Sequence, residues 1–324
     1  MLKLQEIFIQ ELMNGFSRVY HVSHNDLDGV SPIVLTKLAF PNIRTKVVAN
    51  GGPVDIATKE YMDVMGKEDL LVLTDLSPSL EVAGLIEEKI EEGYKIILFD
   101  HHKSAMPIQN PTWTEIVVEQ NSILACGTSL YADFLTRSNC LSDYSEAAVE
   151  TCVELVRSWD TWDWSRTGNL EAKKLNTLFY LIGIKEYIAF VMERVETGTF
   201  SFGKEYEQVL KLEEKKIELE MSKREKITRE FEIDGEMVGI VHCENYHSEV
   251  GHYILDKRAH LDYVVLINLE KRTISLRSSD GGRDVQTIAK TYGGGGHPNA
   301  AGCEFKEETI EKYVSPYLNR ILAA

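Results

Sequence analysis

Cysteine is scarce: five residues (Cys126, Cys140, Cys152, Cys243 and Cys303) in a chain of 324, an odd number with no C-x-x-C pair. That argues against a disulfide framework and a cysteine-built zinc site, and it suits a reducing cytoplasm. Long apolar runs are also missing, so no transmembrane helix is expected. The opening residues, MLKLQEIFIQELMNGF, break their apolar run with Gln and Glu and lack a small-residue cleavage site. They read as a short amphipathic helix and not as a signal peptide. Positive charge is in deficit, since 35 Lys and Arg against 51 Asp and Glu leave a formal charge of −16. Such a surface repels a long phosphate backbone, which argues against a duplex-binding protein but leaves short nucleotides open. Neither a G-x-x-x-x-G-K-[ST] nor a G-x-G-x-x-G pattern occurs, so a P-loop and a dinucleotide fingerprint are excluded.

What is present describes a folded protein. With 44% apolar and 27% charged residues the chain can bury a sizeable core, and its length suits two domains. Residues 17–23 read as a strand, 30–40 as a helix and 44–49 as a second strand. The runs 70–74 (LLVLT) and 94–99 (YKIILF) are of the kind buried on both faces of a parallel sheet, with a Glu-rich helix over 80–92 between them. From 125 to 192 the pattern turns mostly helical. Strand alternating with helix predicts an α/β fold built on a doubly wound parallel sheet. Residues 203–230 interleave Glu and Lys at helical spacing, which predicts one long exposed connecting helix. Strand patterns at 237–242, 263–269 and 273–279, then a glycine run at 293–296, predict a second, smaller α/β domain. The expected division is a domain over 1–200, a helical linker over 201–232 and a domain over 233–324.

Metal-competent side chains fall directly after the predicted strands. His24, Asp26 and Asp28 lie in SHNDLDG, at a period of two that aligns them if the chain stays extended. Asp75 ends LLVLTD, and Asp100, His101 and His102 end IILFDHH. The carboxyl ends of neighbouring parallel strands converge on one crevice, so these sequence-distant clusters are expected to meet. SWDTWDW adds Asp160, read as a ligand between Trp159 and Trp162, and Asp163, read as a cap for the segment that follows. So many carboxylates in one crevice repel each other unless cations intervene. Oxygen and imidazole donors suit Mn²⁺ or Mg²⁺, with Mn²⁺ favoured by the histidines, and enough are present for two ions sharing one carboxylate. Paired ions of this kind serve displacement at phosphorus by water.

HNDLDG, LTDLS, FDHH and WDTW resemble the four motifs of the DHH phosphoesterases, and GGGGHPNAAG resembles the signature of the DHHA1 domain that often follows them. The resemblance covers about residues 18–195 and 236–320 and is strongest to the nanoRNase B-type oligoribonucleases of the family. It implies a DHH catalytic domain followed by a DHHA1 substrate-binding domain. It also implies that His24, Asp26 and Asp75 hold one metal and that Asp28, Asp75, His101 and Asp160 hold the other. Mn²⁺ is then the expected ion, with Mg²⁺ or Co²⁺ as alternatives. His102 would face the substrate phosphate, and Asp100 would support the histidines. His24 lies only two residues before Asp26, closer than the H-x-x-x-D-x-D spacing of some members, although the nanoRNase B-like pattern shares the short spacing.

Gly293, Gly294, Gly295 and Gly296 before His297 permit a backbone concavity able to bind an anion, and the resemblance makes it a phosphate or nucleotide site. Arg277 is the natural bidentate partner for a terminal phosphate, with His297 as a further donor and Arg283 as a weaker candidate. The other histidines (His21, His242, His247, His252, His260) read as structural or exposed, and the cysteines as core. The resulting expectation is a cytoplasmic, metal-dependent phosphodiesterase that degrades short single-stranded RNA or dinucleotides exonucleolytically to nucleoside monophosphates. No membrane and no long duplex partner is expected, and a homodimer is left open. Alternatives are a cyclic- or linear-dinucleotide phosphodiesterase, a 3′,5′-bisphosphate nucleotide phosphatase, and a nucleotide-binding regulator with a vestigial site.

Overall fold

The computed structural model describes residues 15–323, so the amphipathic helix expected at the N-terminus lies outside the described residues. The chain forms two compact units, one reaching Tyr206 and one starting at Glu207. In the first, β1 (Val19–His24), β2 (Ile43–Val48), β3 (Leu70–Thr74), β4 (Lys95–Asp100) and β5 (Thr114–Ile116) form a parallel sheet in the order β2-β1-β3-β4-β5. Helices α1 (Leu27–Ala39) and α4 (Gly127–Arg137) pack on one face, α2 (Gly52–Val64) and α3 (Leu80–Glu91) on the other. Double coverage explains why β3 buries all of its residues: Leu71 and Leu73 join Tyr20, Val22, Ile96 and Leu98 in the core beneath α2 and α3. Strand order reverses between β1 and β3, the seam at which such a sheet opens a crevice beyond its carboxyl ends.

After a short hairpin, β6 (Glu119–Gln120) and β7 (Ile123–Leu124), the helices α5 (Glu146–Asp160), α6 (Asp163–Thr167) and α7 (Leu170–Thr197) complete this unit. By length and composition α7 is apolar enough to cross a membrane, although polar residues break its apolar runs. It is interrupted at Gly183 (φ 78°) and packs on α1 and α5, with the Tyr187 hydroxyl 2.7 Å from Ser31 Oγ.

The long helix α8 (Gly203–Ile227) ends earlier than its charge pattern predicts, and residues of the expected linker instead form β8 (Arg229–Ile233). The alternation of Phe231 and Ile233 with Glu230 and Glu232 accounts for this, because both apolar residues pack onto the core of the second unit. There β9 (Glu236–His242), α9 (His247–Lys257), β10 (Tyr263–Asn268), β11 (Thr273–Arg277), α10 (Val285–Thr291), β12 (Gly295–His297) and β13 (Ala300–Glu304) follow. The sheet runs β12-β13-β11-β10-β9-β8, with β9 and β10 parallel across α9 and the other pairs antiparallel. The end of the glycine run is thus an edge strand and not a loop.

Candidate active site

The extended alternation expected to align His24, Asp26 and Asp28 stops at His24. Asp26 caps α1, accepting from Gly29 N–H at 2.9 Å, and Asp28 already lies in the first helical turn. The sharp turn needs Gly29, since a Cβ there would sit 2.3 Å from the His24 carbonyl oxygen. The side chains nevertheless converge. His24 Nδ1 is 2.8 Å from Asp26 Oδ2 and 3.5 Å from Asp75 Oδ2. His101 Nε2 is 3.2 Å from Asp75 Oδ1, 3.6 Å from Asp160 Oδ2 and 3.7 Å from Asp28 Oδ2. Asp75 therefore turns one oxygen to each group. Its own backbone is left-handed (φ 58°), and its buried Oδ2 makes no hydrogen bond. Carboxylate and imidazole atoms at these separations, with one buried lone pair unsatisfied, fit a divalent cation that takes oxygen and nitrogen donors.

Asp28 is held in a way no local pattern revealed. Its carboxylate accepts from the backbone N–H groups of Gly127 (2.7 Å) and Thr128 (2.9 Å), the first residues of α4. Pro32 has no N–H to offer the Asp28 carbonyl four residues back, and the Thr128 hydroxyl donates to that carbonyl instead, at 2.8 Å. Gly127 also allows α4 to approach β3, because a Cβ there would lie 2.7 Å from Asp75 Cβ and 3.0 Å from its Cα. Gly127→Ala is expected to lower the melting temperature by about 5 °C through overpacking, and activity by about tenfold or more through displacement of Asp75. A thermal melt with a parallel steady-state assay checks both.

Asp100 is saturated: Oδ1 accepts from the His101 and His102 N–H groups (2.7 and 3.1 Å) and lies 2.8 Å from His102 Nδ1, while the Ser77 hydroxyl donates to Oδ2. Ser77 and Asn50, whose Nδ2 is 3.5 Å from His24 Nε2, escaped the sequence reading because each lies in a loop with no periodic signal. Asp163 stands in the first turn of α6, paired with Arg157 (2.9 Å) and Arg166. His21 is buried between the Thr36 and Thr74 hydroxyls, and burial lowers its pKa to about 3, so it stays neutral and structural.

Electrostatics follow from crowding. Burial, then the charge of Asp28, raises Asp75 well above the usual carboxylate value, and the same two causes raise Asp160. Burial opposes the charged form of His24, but Asp26 and Asp75 outweigh it and raise the imidazole to about 10. Burial likewise works against charged His101, and the charges of Asp160 and Asp28 raise it. Crowding in the metal-free cluster therefore favours protonated forms, whose protons a cation would replace.

In the second unit, Arg277 is paired across the sheet with Ala300, and Ala300 with His297. Arg277 and His297 thus flank a small residue on one face, about 10 Å apart across three strands. Arg277 donates to Ser248 Oγ at 3.0 Å, its Nε has no partner, and burial lowers its pKa to about 10. No carboxylate forms an ion pair with it among the described residues. Gly293 (φ 74°) and Gly296 (φ 135°) adopt conformations that favour glycine, and a Cβ on Gly294 would sit 2.1 Å from the Gly302 carbonyl oxygen. Arg283 is instead paired with Glu236 at 2.7 Å.

A DHHA1 domain is matched over residues 238–321. Oligoribonuclease NrnB of Bacillus subtilis is 36% identical over 304 residues, covering 92% of this chain and 75% of that protein. Among solved structures, exonuclease RecJ bound to manganese superposes with a TM-score of 0.56 at 15% identity, covering 100% of this chain and 94% of the other. The pGpG-specific phosphodiesterase PggH of Vibrio cholerae gives 0.53 at 16% identity, covering 94% and 99%. These two likenesses are of fold. With the NrnB match spanning both units, the chain belongs to the DHH/DHHA1 family of phosphoesterases.

Proposed function

We propose that this protein is a metal-dependent phosphodiesterase that hydrolyses short RNA oligonucleotides exonucleolytically to nucleoside monophosphates. The observation carrying the reading is the division of Asp75, with Oδ2 toward His24 and Asp26 and Oδ1 toward His101, near Asp28 and Asp160. His24, Asp26 and Asp75 would hold one divalent cation, and Asp28, Asp75, His101 and Asp160 a second, with Mn²⁺ preferred. When bound, the cations supply charge neutralisation at phosphorus and a more acidic water. The residues do the rest. Asp100, satisfied on both oxygens, fixes the His102 ring through Nδ1, so that an imidazolium there would donate its Nε2–H to a substrate phosphoryl oxygen. The second unit would capture one end of the oligonucleotide, with Arg277 and His297 reaching phosphate over the glycine floor. The similarity to NrnB, an oligoribonuclease, supports the substrate class, and the net charge of −16 disfavours long duplexes. Unpaired thiols suit a cytoplasmic setting.

A panel of labelled di- to decanucleotides and cyclic dinucleotides, each with Mn²⁺, Mg²⁺ or Co²⁺, tests this. Rates are expected to fall with length, and Arg277→Ala to raise KM for a dinucleotide about tenfold. Length-independent rates, or cyclic dinucleotides as the only substrates, would sink the short-RNA reading.

A further inference from the structure

Three of the four tryptophans of this chain, Trp159, Trp162 and Trp164, pack on one another in the segment that carries the candidate ligand Asp160. The rings of Trp159 and Trp164 lie 5.4 Å apart and 20° from parallel, and Trp162 stands against them at 5.8 and 5.2 Å, inclined by 50° and 68°. Trp162 is 37% exposed. Its backbone is left-handed (φ 63°, ψ 11°), the conformation glycine or asparagine takes just past a helix end. A bulky L-residue is strained there. Glycine would make the turn from α5 to α6 without that strain, and packing on Trp159 and Trp164 still leaves over a third of the indole facing water. The turn is also braced, since Asp163 holds both Arg157 and Arg166. Strain retained at an exposed ring on a fixed turn marks a functional position.

We propose that Trp162 is a stacking platform for a nucleobase of the substrate, an inference that rests on the short-RNA reading above. Its Cα lies within about 8 Å of that of Asp160, so the ring stands on the same turn as a candidate ligand. Every nucleobase has a π-face, so stacking is indifferent to sequence, as an exonuclease requires. It also holds a short polyanion without a basic surface, which a chain of net charge −16 lacks.

The test compares KM and kcat for a dinucleotide and for the same dinucleotide with one base removed, in the wild type, Trp162→Gly and Trp162→Phe. Trp162→Gly is expected to raise KM for the intact dinucleotide about tenfold with kcat within about threefold, and Trp162→Phe to recover most of the loss. Removing the base from one of the two nucleotides is expected to cost the wild type a similar factor and Trp162→Gly almost nothing further. Quenching of tryptophan emission by a slowly hydrolysed phosphorothioate dinucleotide, lost in Trp162→Gly, reads stacking without turnover. The melting temperature of Trp162→Gly is expected to fall by only a few degrees, because relief of the left-handed backbone offsets part of the lost indole packing, and that of Trp162→Phe by less, which separates this from a folding defect. Equal KM increases for intact and abasic substrates, or undiminished quenching, overturn the stacking role alone. No dinucleotide turnover by the wild type removes the short-RNA reading and this inference with it.

Discussion

Asp75→Asn is expected to lower kcat about 1000-fold while raising the melting temperature of the metal-free protein by a few degrees. The two signs have one origin. Asp75 is buried, and burial and the Asp28 charge both oppose its ionisation in the metal-free fold. A neutral amide of the same shape removes that penalty. Asparagine also tolerates the left-handed backbone at this position, so the turn after β3 is kept. What is lost is the anionic oxygen directed at each half of the site, and with it the proposed ability to hold cations between His24 and His101. Steady-state kinetics and thermal melts with and without Mn²⁺ check the pair of effects. A variant that melts lower than the wild type without metal would mean that Asp75 is ionised and satisfied within the fold.

Chelation is expected to abolish turnover, and the melting temperatures of metal-loaded and metal-free protein are expected to diverge as pH rises. The sign follows from the raised groups. Protonated Asp75 and Asp160 contribute stability that is complete below the ordinary carboxylate value of 3.8 and is lost as pH rises through their shifted values. The contribution of His24 is complete below 6.5 and lost as pH rises through about 10. The metal-free protein should therefore weaken from pH 6 toward pH 10, whereas a cation takes the deprotonated forms and its apparent affinity climbs. Loading should release protons near neutrality, visible as a dependence of the calorimetric heat on buffer ionisation enthalpy. Asp100 and Asp26 act in the opposite range. Burial resists their ionisation, but His102 and His24 respectively lower both, so their contribution is present above 3.8 and fades only in acid. A loaded-minus-free melting difference that stays flat across pH would show that the cluster carries no displaceable protons.

The parts of the site most open to sequence reading were those governed by a short period. β3 and β4 are continuous apolar runs because helices cover both faces; β3 ends one residue before Asp75, and β4 ends at Asp100 itself. That His24, Asp75, His101 and Asp160 approach one another follows from parallel strands sharing a carboxyl edge, plus one helix end. Less was legible where docking across the fold decides. The cradle around Asp28 comes from residues about a hundred positions away, and nothing in SHNDLDG announces it. The glycine run carries no apolar alternation, so its pairing as β12 was invisible. α7 keeps its apolar character through interruptions that a search for unbroken runs passes over.

Pro32 gives the arrangement an unusual form of error control. A proline in mid-helix strips α1 of a bond it could have made alone, and the Asp28 carbonyl takes the Thr128 hydroxyl as donor instead. Should α4 dock out of place, that oxygen goes unanswered in a dry interior, a forfeit of about 1–3 kcal/mol, and the carboxylate of the same residue loses its two amides as well. Misassembled copies are thereby thinned from the population before any substrate arrives.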